Sequence, residues 1–579
     1  VVFVAMNRAL LATACFCLGL SFAACSAPGA GDEGGEGNGG SAGDVVSGAG
    51  GTAVTGGTGS GTGGTPAGTG GSSGAAPGGT GGTAGTDVLG GSAGAAPVGG
   101  TGGSDGGSGA MAGAAAMAGA GATAGAGGSG GSAGSTPVVE PSLVTSAQNA
   151  YWREGTLTEV TTNADVTVND ATAYQTWDGF GGTFNEVGWD VLSLLSAADR
   201  DRAMNLLFGV DGARFAFGRV PIGASDYAVT RYTLNESAND YAMANFSIAH
   251  DQQYLIPYIQ AALALRPNLR LWASPWTPPT WMKDNRAMDG GNMVDNAMNL
   301  QAHALYLAKF VEEYARIGIR IEAIHPQNEP GYETRYPSCL WTAALMTKYI
   351  RDYLGPTFRD RMVPAQIFLG TMSNADAGKD GTIISTVTAD TAAMAFVKGF
   401  GLQWNMINSV AGLRSRNLPI VQSEHKCGNY PWETATFNAN TAPNDYAYGI
   451  ETWGLIGDWL EAGVTSYSAW NMVLDKDGKN SDMTRPWPQN ALLIVDKSAR
   501  TLTVTPAYYV FRHVSQFVDP GAKRVQTTGG DALAFKNPDG SLVAAIYNSA
   551  AARRMTVAIG GKRVQFDMPA NGFATVNLH

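Results

Sequence analysis

Between Thr176 and Trp470 a short apolar or β-rich run gives way, again and again, to a longer stretch with apolar residues at helical spacing. Eight runs read as strands: Phe180 to Phe184, Phe215 to Pro221, Leu269 to Ser274, Ile319 to Ile324, Gln366 to Gly370, Phe400 to Trp404, Leu418 to Gln422 and Val464 to Trp470. Segments such as "NLQAHALYLAKFVEEYARIG" at 299–318 lie between them. Eight strand–helix repeats predict an α/β fold, a (β/α)8 TIM barrel with generous loops after the strands. A doubly wound open sheet is the competing arrangement. It normally carries a Gly-rich phosphate turn after its first strand, and "GFGGTF" at 179–184 does not open onto a helix with that spacing.

The tail changes character. After the helix-like "PAYYVFRHVSQFV" at 506–518 come "ALAFKN", "LVAAIYN", "MTVAIGG", "RVQFDM" and "FATVNL", short strands separated by turn residues. The segment "GTLTEVTTNADVTVN" at 155–169 reads the same way. The two β groups are expected to pair into one β-sandwich, formed by 141–172 with 520–579, beside a barrel over 173–519.

The N-terminal quarter has another composition. Of the 79 Gly, 45 lie between Ala27 and Glu140, a stretch without Phe, Tyr, Trp, Lys or Arg. Such a stretch cannot bury enough apolar surface to offset its ordering entropy, so 26–140 is expected to be a disordered Gly-rich linker. Residues 1–25 read as a signal peptide. From Met6, "MNRALLATACFCLGLSFAAC" has a basic start, an apolar core and small residues before Cys25. The "FAAC" ending resembles a bacterial lipoprotein lipobox, which makes Cys25 a lipidation candidate; plain secretion is the alternative. Export to the cell envelope or the medium is expected, with a lipid at Cys25 as the only membrane attachment. Cys339 and Cys427 are then the cysteines left in the folded part, an even pair in an oxidising compartment and a disulfide candidate. The net charge of −11, with no basic run, argues against a nucleic-acid partner. A monomer is expected.

In a barrel the C-terminal ends of the strands face the active site. The polar and aromatic residues at those ends are Glu186, Arg219, Asp226, Trp276, Asn328, Glu329, Gln403, Trp404, Glu424, Trp470 and Asn471. This is a carboxylate pair, Glu329 and Glu424, ringed by aromatics and hydrogen-bonding groups. No His/Cys spacing suits a metal, no Ser-His-Asp order fits, and no cofactor is expected. His325 reads as a satisfied core histidine and Glu186 as a partner behind the site. Paired carboxyls with aromatic platforms suit glycoside hydrolysis: one acid protonates the leaving oxygen and the other attacks the anomeric carbon. A carbohydrate-binding surface protein without catalysis and a structural surface protein stay open as other classes. Binding alone does not need both glutamates, and only the linker supports the structural class.

Seven stretches carry a resemblance by their order: "DGFGGTFNE", "RVPIGASDY", "ASPWTPPTWMKDN", "HPQNEP", "SEHKCG", "SAWNMVLDKDG" and "YYVFRHVSQFVDPGAKRV". Over about residues 145–579 the chain resembles glycoside hydrolase family 30, which includes glucosylceramidase-like enzymes and endo-β-1,6-glucanases. The resemblance implies a (β/α)8 barrel with a side β-sandwich and retention of anomeric configuration. It places the acid/base on Glu329 and the nucleophile on Glu424. The sugar-binding positions fall on Asp226, Trp276, Asn328, Trp470 and Asn480, with Arg219 orienting a catalytic carboxylate. Two places depart from the family pattern: "LQWN" at 402–405 stands where many relatives carry a His-containing Trp/Tyr motif, and "DKDGKNSD" at 475–482 lacks the usual paired glycines. A glucan is the expected substrate, with galactan, xylan and glucosylceramide as alternatives for the same chemistry.

Overall fold

The structure, a computed structural model, describes residues 141–373, 379–427, 444–478 and 489–579. The expected signal segment, the linker, Cys25 and Asn480 lie outside the described residues. Four strands come first: β1 (Leu143–Ala147), β2 (Ala150–Glu154), β3 (Thr158–Glu159) and β4 (Val166–Thr176). The eight apolar runs follow as β5 (Gly179–Thr183), β6 (Phe217–Ile222), β7 (Arg270–Pro275), β8 (Ile321–Ile324), β9 (Gln366–Met372), β10 (Val397–Gln403), β11 (Ile420–His425) and β12 (Ser466–Asn471). Each pairs in parallel with its neighbours in sequence, and β12 closes on β5. The strands are buried along almost their whole length. A parallel strand is covered on one face by the barrel interior and on the other by helices, so it reads as an unbroken apolar run rather than an alternation.

The outer helices show the matching pattern. In Ala297–Arg316 the buried residues include Leu300, Ala304, Leu307, Val311 and Tyr314, one stripe at three- and four-residue spacing, and the Asn296 side chain caps the first turn. In Pro506–Ser515 the cap is Thr505, which accepts from Tyr508 N, and Pro506 stands in the first turn, where its missing N–H costs nothing. Inside the barrel, Phe217, Trp272, Ala323, Phe368 and Val421 pack together toward the N-terminal ends of the strands. Above them His325 stacks on Trp272 at 4.2 Å, in a space that exists only because Gly370 and Gly401 have no side chain. A Cβ at either glycine would come within 2.6 Å of the imidazole. Burial holds His325 well below the usual histidine range, so it is a neutral core residue.

A small sheet of β13 (Val473–Asp475), β14 (Leu493–Asp496) and β15 (Thr501–Val504) follows the barrel. The tail then supplies β16 (Lys523–Thr528), β17 (Asp531–Lys536), β18 (Leu542–Asn548), β19 (Arg553–Ile559), β20 (Lys562–Met568) and β21 (Gly572–Leu578). They join β1 to β4 in one ten-stranded sheet, ordered β2-β1-β21-β18-β17-β16-β4-β19-β20-β3. Strand β18 shows how this sheet attaches to the barrel. Leu542, Ala544 and Ile546 point into the sandwich core, while Val543 and Ala545 point into the barrel's core. The two-residue period of a strand thus places one apolar set on each side. His513 fastens the contact through Ser146 Oγ and Thr575 Oγ1, both at 2.8 Å.

Candidate active site

The site is built around Arg219, in the middle of β6, whose side chain is fully buried. Its Nη1 donates to Glu424 Oε2. Its Nη2 donates to Asn328 Oδ1 at 2.6 Å and to Ser274 Oγ at 3.0 Å, and Nε reaches the same hydroxyl at 3.2 Å. The guanidinium also lies 4.2 Å from the ring centre of Trp276 and 5.5 Å from that of Trp470. One cation on β6 therefore joins the strand ends of β7, β8, β11 and β12. Burying a guanidinium is tolerable only with such pairing, and this one has an ionic partner, two neutral acceptors and aromatic faces.

Asn328 and Glu329 follow β8. The Asn328 carbonyl oxygen is committed to Arg219 and to Thr371 Oγ1 at 2.8 Å, which leaves its Nδ2 as the donor. Glu329 adopts φ +48°, a left-handed conformation that a glutamate rarely takes, and its N–H is held by Thr371 O at 2.9 Å. That turn directs the carboxyl to Tyr336 OH at 3.1 Å and Gln403 Nε2 at 3.2 Å, with Ser373 as a third donor. Gln403 is itself oriented by Ser423 Oγ at 3.1 Å.

Glu424 lies on β11 one residue from that serine. The β10–β11 register slips between Leu402 and Gln403, which sets Gln403 opposite Glu424. Trp404 then takes φ +50° and delivers its indole Nε1 to Glu424 Oε1 at 2.8 Å. Burial pushes both carboxyls above the usual range. Each ionised carboxylate opposes ionisation of the other. The guanidinium hydrogen-bonds Glu424 and not Glu329, a contact that favours the ionised form of Glu424.

Asp226 is buried beside this pair. Burial first, then the charges of Glu424 and Glu329, push its carboxyl well above the usual range, and its Oδ1 has no hydrogen-bond partner among the described residues. Trp276 and Trp470 stack on each other at 5.5 Å, and Tyr227 meets Trp470 edge-on at 5.8 Å. Asn471 does not reach the carboxyls; it ties Asn185 at 2.8 Å to Gln489 at 3.1 Å behind them. Glu186 lies apart as well. Its carboxylate accepts from Val229 N at 2.8 Å and lies 3.0 Å from His250 Nε2, holding the loop that follows Asp226.

The expected Cys339–Cys427 disulfide is not formed; both are free, buried thiols. Their positions give the reason. Cys339 Sγ turns to Leu340 O at 3.7 Å in the loop after β8, while Cys427 Sγ turns to His425 O and Asn471 O, each at 3.9 Å, in the wall between β11 and β12. Burial pushes both thiols up to about 12, which keeps them protonated and inert. The residues that the sequence left without a role are Trp404, Gln403, Tyr336 and Ser373, which join Arg219 as donors on the two carboxyls. The first two were visible only as strand-end polar residues.

Sequence comparison decides the family. The Glycosyl hydrolase family 30 TIM-barrel domain matches residues 177–518, and the Glycosyl hydrolase family 30 beta sandwich domain matches 521–576. The chain belongs to glycosyl hydrolase family 30. As a family 30 member it is an O-glycosyl hydrolase, and its substrate is a carbohydrate. It is similar to the lysosomal acid glucosylceramidase of Mus musculus, 27% identical over 449 residues, which cover 71% of this chain and 84% of that one. It is similar also to the endo-1,6-beta-D-glucanase of Neurospora crassa, 27% identical over 394 residues, 65% and 79% of the two chains. Among solved structures, SrfJ from Salmonella typhimurium superposes with a TM-score of 0.67 at 24% identity, over 76% of this chain and 99% of that one. The latter likeness speaks for the family 30 fold alone.

Proposed function

We propose that this enzyme is a retaining β-glycosidase that releases glucosyl units from a β-linked glucan or related glycoside by double displacement. The observation that carries the reading is the unequal treatment of two neighbouring glutamates. Glu424 is gripped by a cation and an indole N–H, as a carboxylate nucleophile requires. Among the described residues the side-chain donors to Glu329 are the uncharged Tyr336, Gln403 and Ser373, a weaker pull toward the ionised form than a guanidinium exerts, which suits an acid that must keep its proton. In the first step a Glu424 oxygen bonds to the anomeric carbon, the leaving oxygen departs with the bonding electrons, and Glu329 protonates it. In the second, Glu329 takes a proton from water, which attacks the anomeric carbon and frees Glu424. Asn328 Nδ2 donates to the sugar 2-hydroxyl, Asp226 binds another hydroxyl, and Trp276 and Trp470 provide the apolar floor.

The mouse and Neurospora relatives, whose names both concern a glucosyl unit, support glucose as the unit bound. The signal-like segment at 1–25 supports export, with Cys25 as a lipid-bearing residue and 26–140 as a tether. A hydrolysis screen tests the reading. It sets β-1,6-glucan, glucosylceramide and aryl β-glucosides against β-1,6-galactan and xylan, with products resolved by size. Release from the galactan or xylan alone would overturn the glucosyl assignment. No release from any of the five would overturn the glycosidase reading.

A further inference from the structure

Both oxygens of Glu424 already hold a hydrogen-bond donor before any substrate arrives. Arg219 Nη1 is on Oε2, and Trp404 Nε1 is on Oε1 at 2.8 Å. Only one oxygen can attack. In the glycosyl-enzyme ester the attacking oxygen becomes the single-bonded one, a poor acceptor, and the other becomes the carbonyl oxygen, a good one. The donor on the attacking oxygen therefore loses its partner. If Oε2 attacked, a guanidinium with no solvent exposure would lose its ionic bond inside the protein, an expensive loss. If Oε1 attacked, the loss would fall on a neutral indole that is only half-buried.

From this asymmetry we infer that Oε1 of Glu424 is the attacking oxygen, and that Trp404 is the positioning residue that aims it and lets it go as the ester forms. The inference rests on the reading of Glu424 as nucleophile. The balance is simple: the Oε1–carbon bond forms, the bond to the leaving oxygen breaks with its electron pair, and that oxygen takes the proton of Glu329. Arg219 stays on Oε2 throughout. Trp404 bonds Oε1 in the free enzyme, releases it in the ester and regains it when water cleaves the ester. The indole thus favours the second step, in which Oε1 recovers its charge. The β10–β11 register slip and the left-handed backbone at Trp404 are what bring the N–H to that oxygen. Among the described residues the charged and titratable groups facing Glu424 are Arg219, Glu329, Asp226 and Tyr227, with His425 adjacent in sequence.

The test compares wild type with Trp404→Phe, and with Trp404 replaced by benzothienylalanine, which keeps the ring's shape and its packing 5.4 Å from His425 but has no N–H. The substrate is an aryl β-glucoside with a good leaving group, so that ester hydrolysis limits kcat. Glu424→Ala serves as reference. Both replacements are expected to lower kcat by about tenfold or more, the worth of one charge-assisted hydrogen bond. KM should fall nearly in parallel, and kcat/KM on its plateau should stay within about threefold. The acid limb of the kcat/KM profile should move up, since Glu424 loses a donor to its ionised form. A side chain that only packed would leave that limb in place. An unmoved limb with unchanged KM in the benzothienylalanine protein overturns the inference while Glu424→Ala remains inactive. Full turnover by Glu424→Ala would overturn the nucleophile reading instead.

Discussion

Arg219→Lys keeps the charge at the centre of the site and removes its shape. The guanidinium makes four hydrogen bonds, to Glu424, to Asn328 and two to Ser274. A lysine ammonium is a single point on a flexible stem and cannot face the Glu424, Asn328 and Ser274 acceptors from the same position. We expect it to follow the carboxylate and lose at least two of the four bonds. At about 1.5–3 kcal/mol for a bond to a charged group, the loss is about 3–6 kcal/mol. Expressed in the transition state, that is about 10²- to 10⁴-fold in kcat/KM. The sign of the pH effect follows from the same contact. Arg219 favours the ionised form of Glu424, so a weaker contact raises the pKa of that carboxyl and moves the acid limb of kcat/KM upward. Steady-state kinetics on an aryl β-glucoside across pH would show both changes, with thermal unfolding as a check on folding. A folded Arg219→Lys enzyme within threefold of wild type, with its acid limb unmoved, would refute the placement of Arg219 at the centre of the site.

Two further predictions concern buried groups away from the chemistry. Asp251 is sealed between Tyr232 OH at 2.8 Å and Tyr314 OH at 2.7 Å, and burial pushes it up to about 7. Its unfolded value is near 3.9, so its neutral form favours the fold below that pH and the benefit is lost as pH rises through 7, at a cost of up to about 4 kcal/mol. Asp251→Asn should therefore gain in Tm relative to wild type between pH 5 and pH 8; a constant difference would contradict this. For the thiols, alkylation of the denatured, unreduced protein should yield peptides with both Cys339 and Cys427 modified, and a cross-linked peptide would restore the disulfide expected from sequence.

Residues legible in the sequence are those that the barrel topology alone positions. The run Leu418 to Gln422 announces β11, and a carboxylate two residues beyond it must sit at the rim, as Glu424 does. Asn328 and Glu329 follow β8 by the same logic, and Arg219 was readable as a partner for one of them. What sequence did not show depends on local backbone departures. The slip at Leu402 and the positive φ at Trp404 turn an ordinary-looking strand end into a donor for the nucleophile. Tyr336 reaches Glu329 only because the intervening loop folds back. The cysteines show the converse limit: closeness in sequence to two rim glutamates says nothing of which way each thiol faces within its loop.

The stereochemistry of azide rescue tests the central claim most directly. With an aryl β-glucoside, Glu424→Ala should be inactive until azide is added, and azide should then occupy the emptied position and give the α-glycosyl azide, detected by proton NMR. Glu329→Ala should still form the glycosyl-enzyme from a substrate with a good leaving group, and azide should open that ester to give the β-glycosyl azide. The opposite pair of products would reverse the roles of the two glutamates, and unchanged sugar release by both variants would contradict the account altogether.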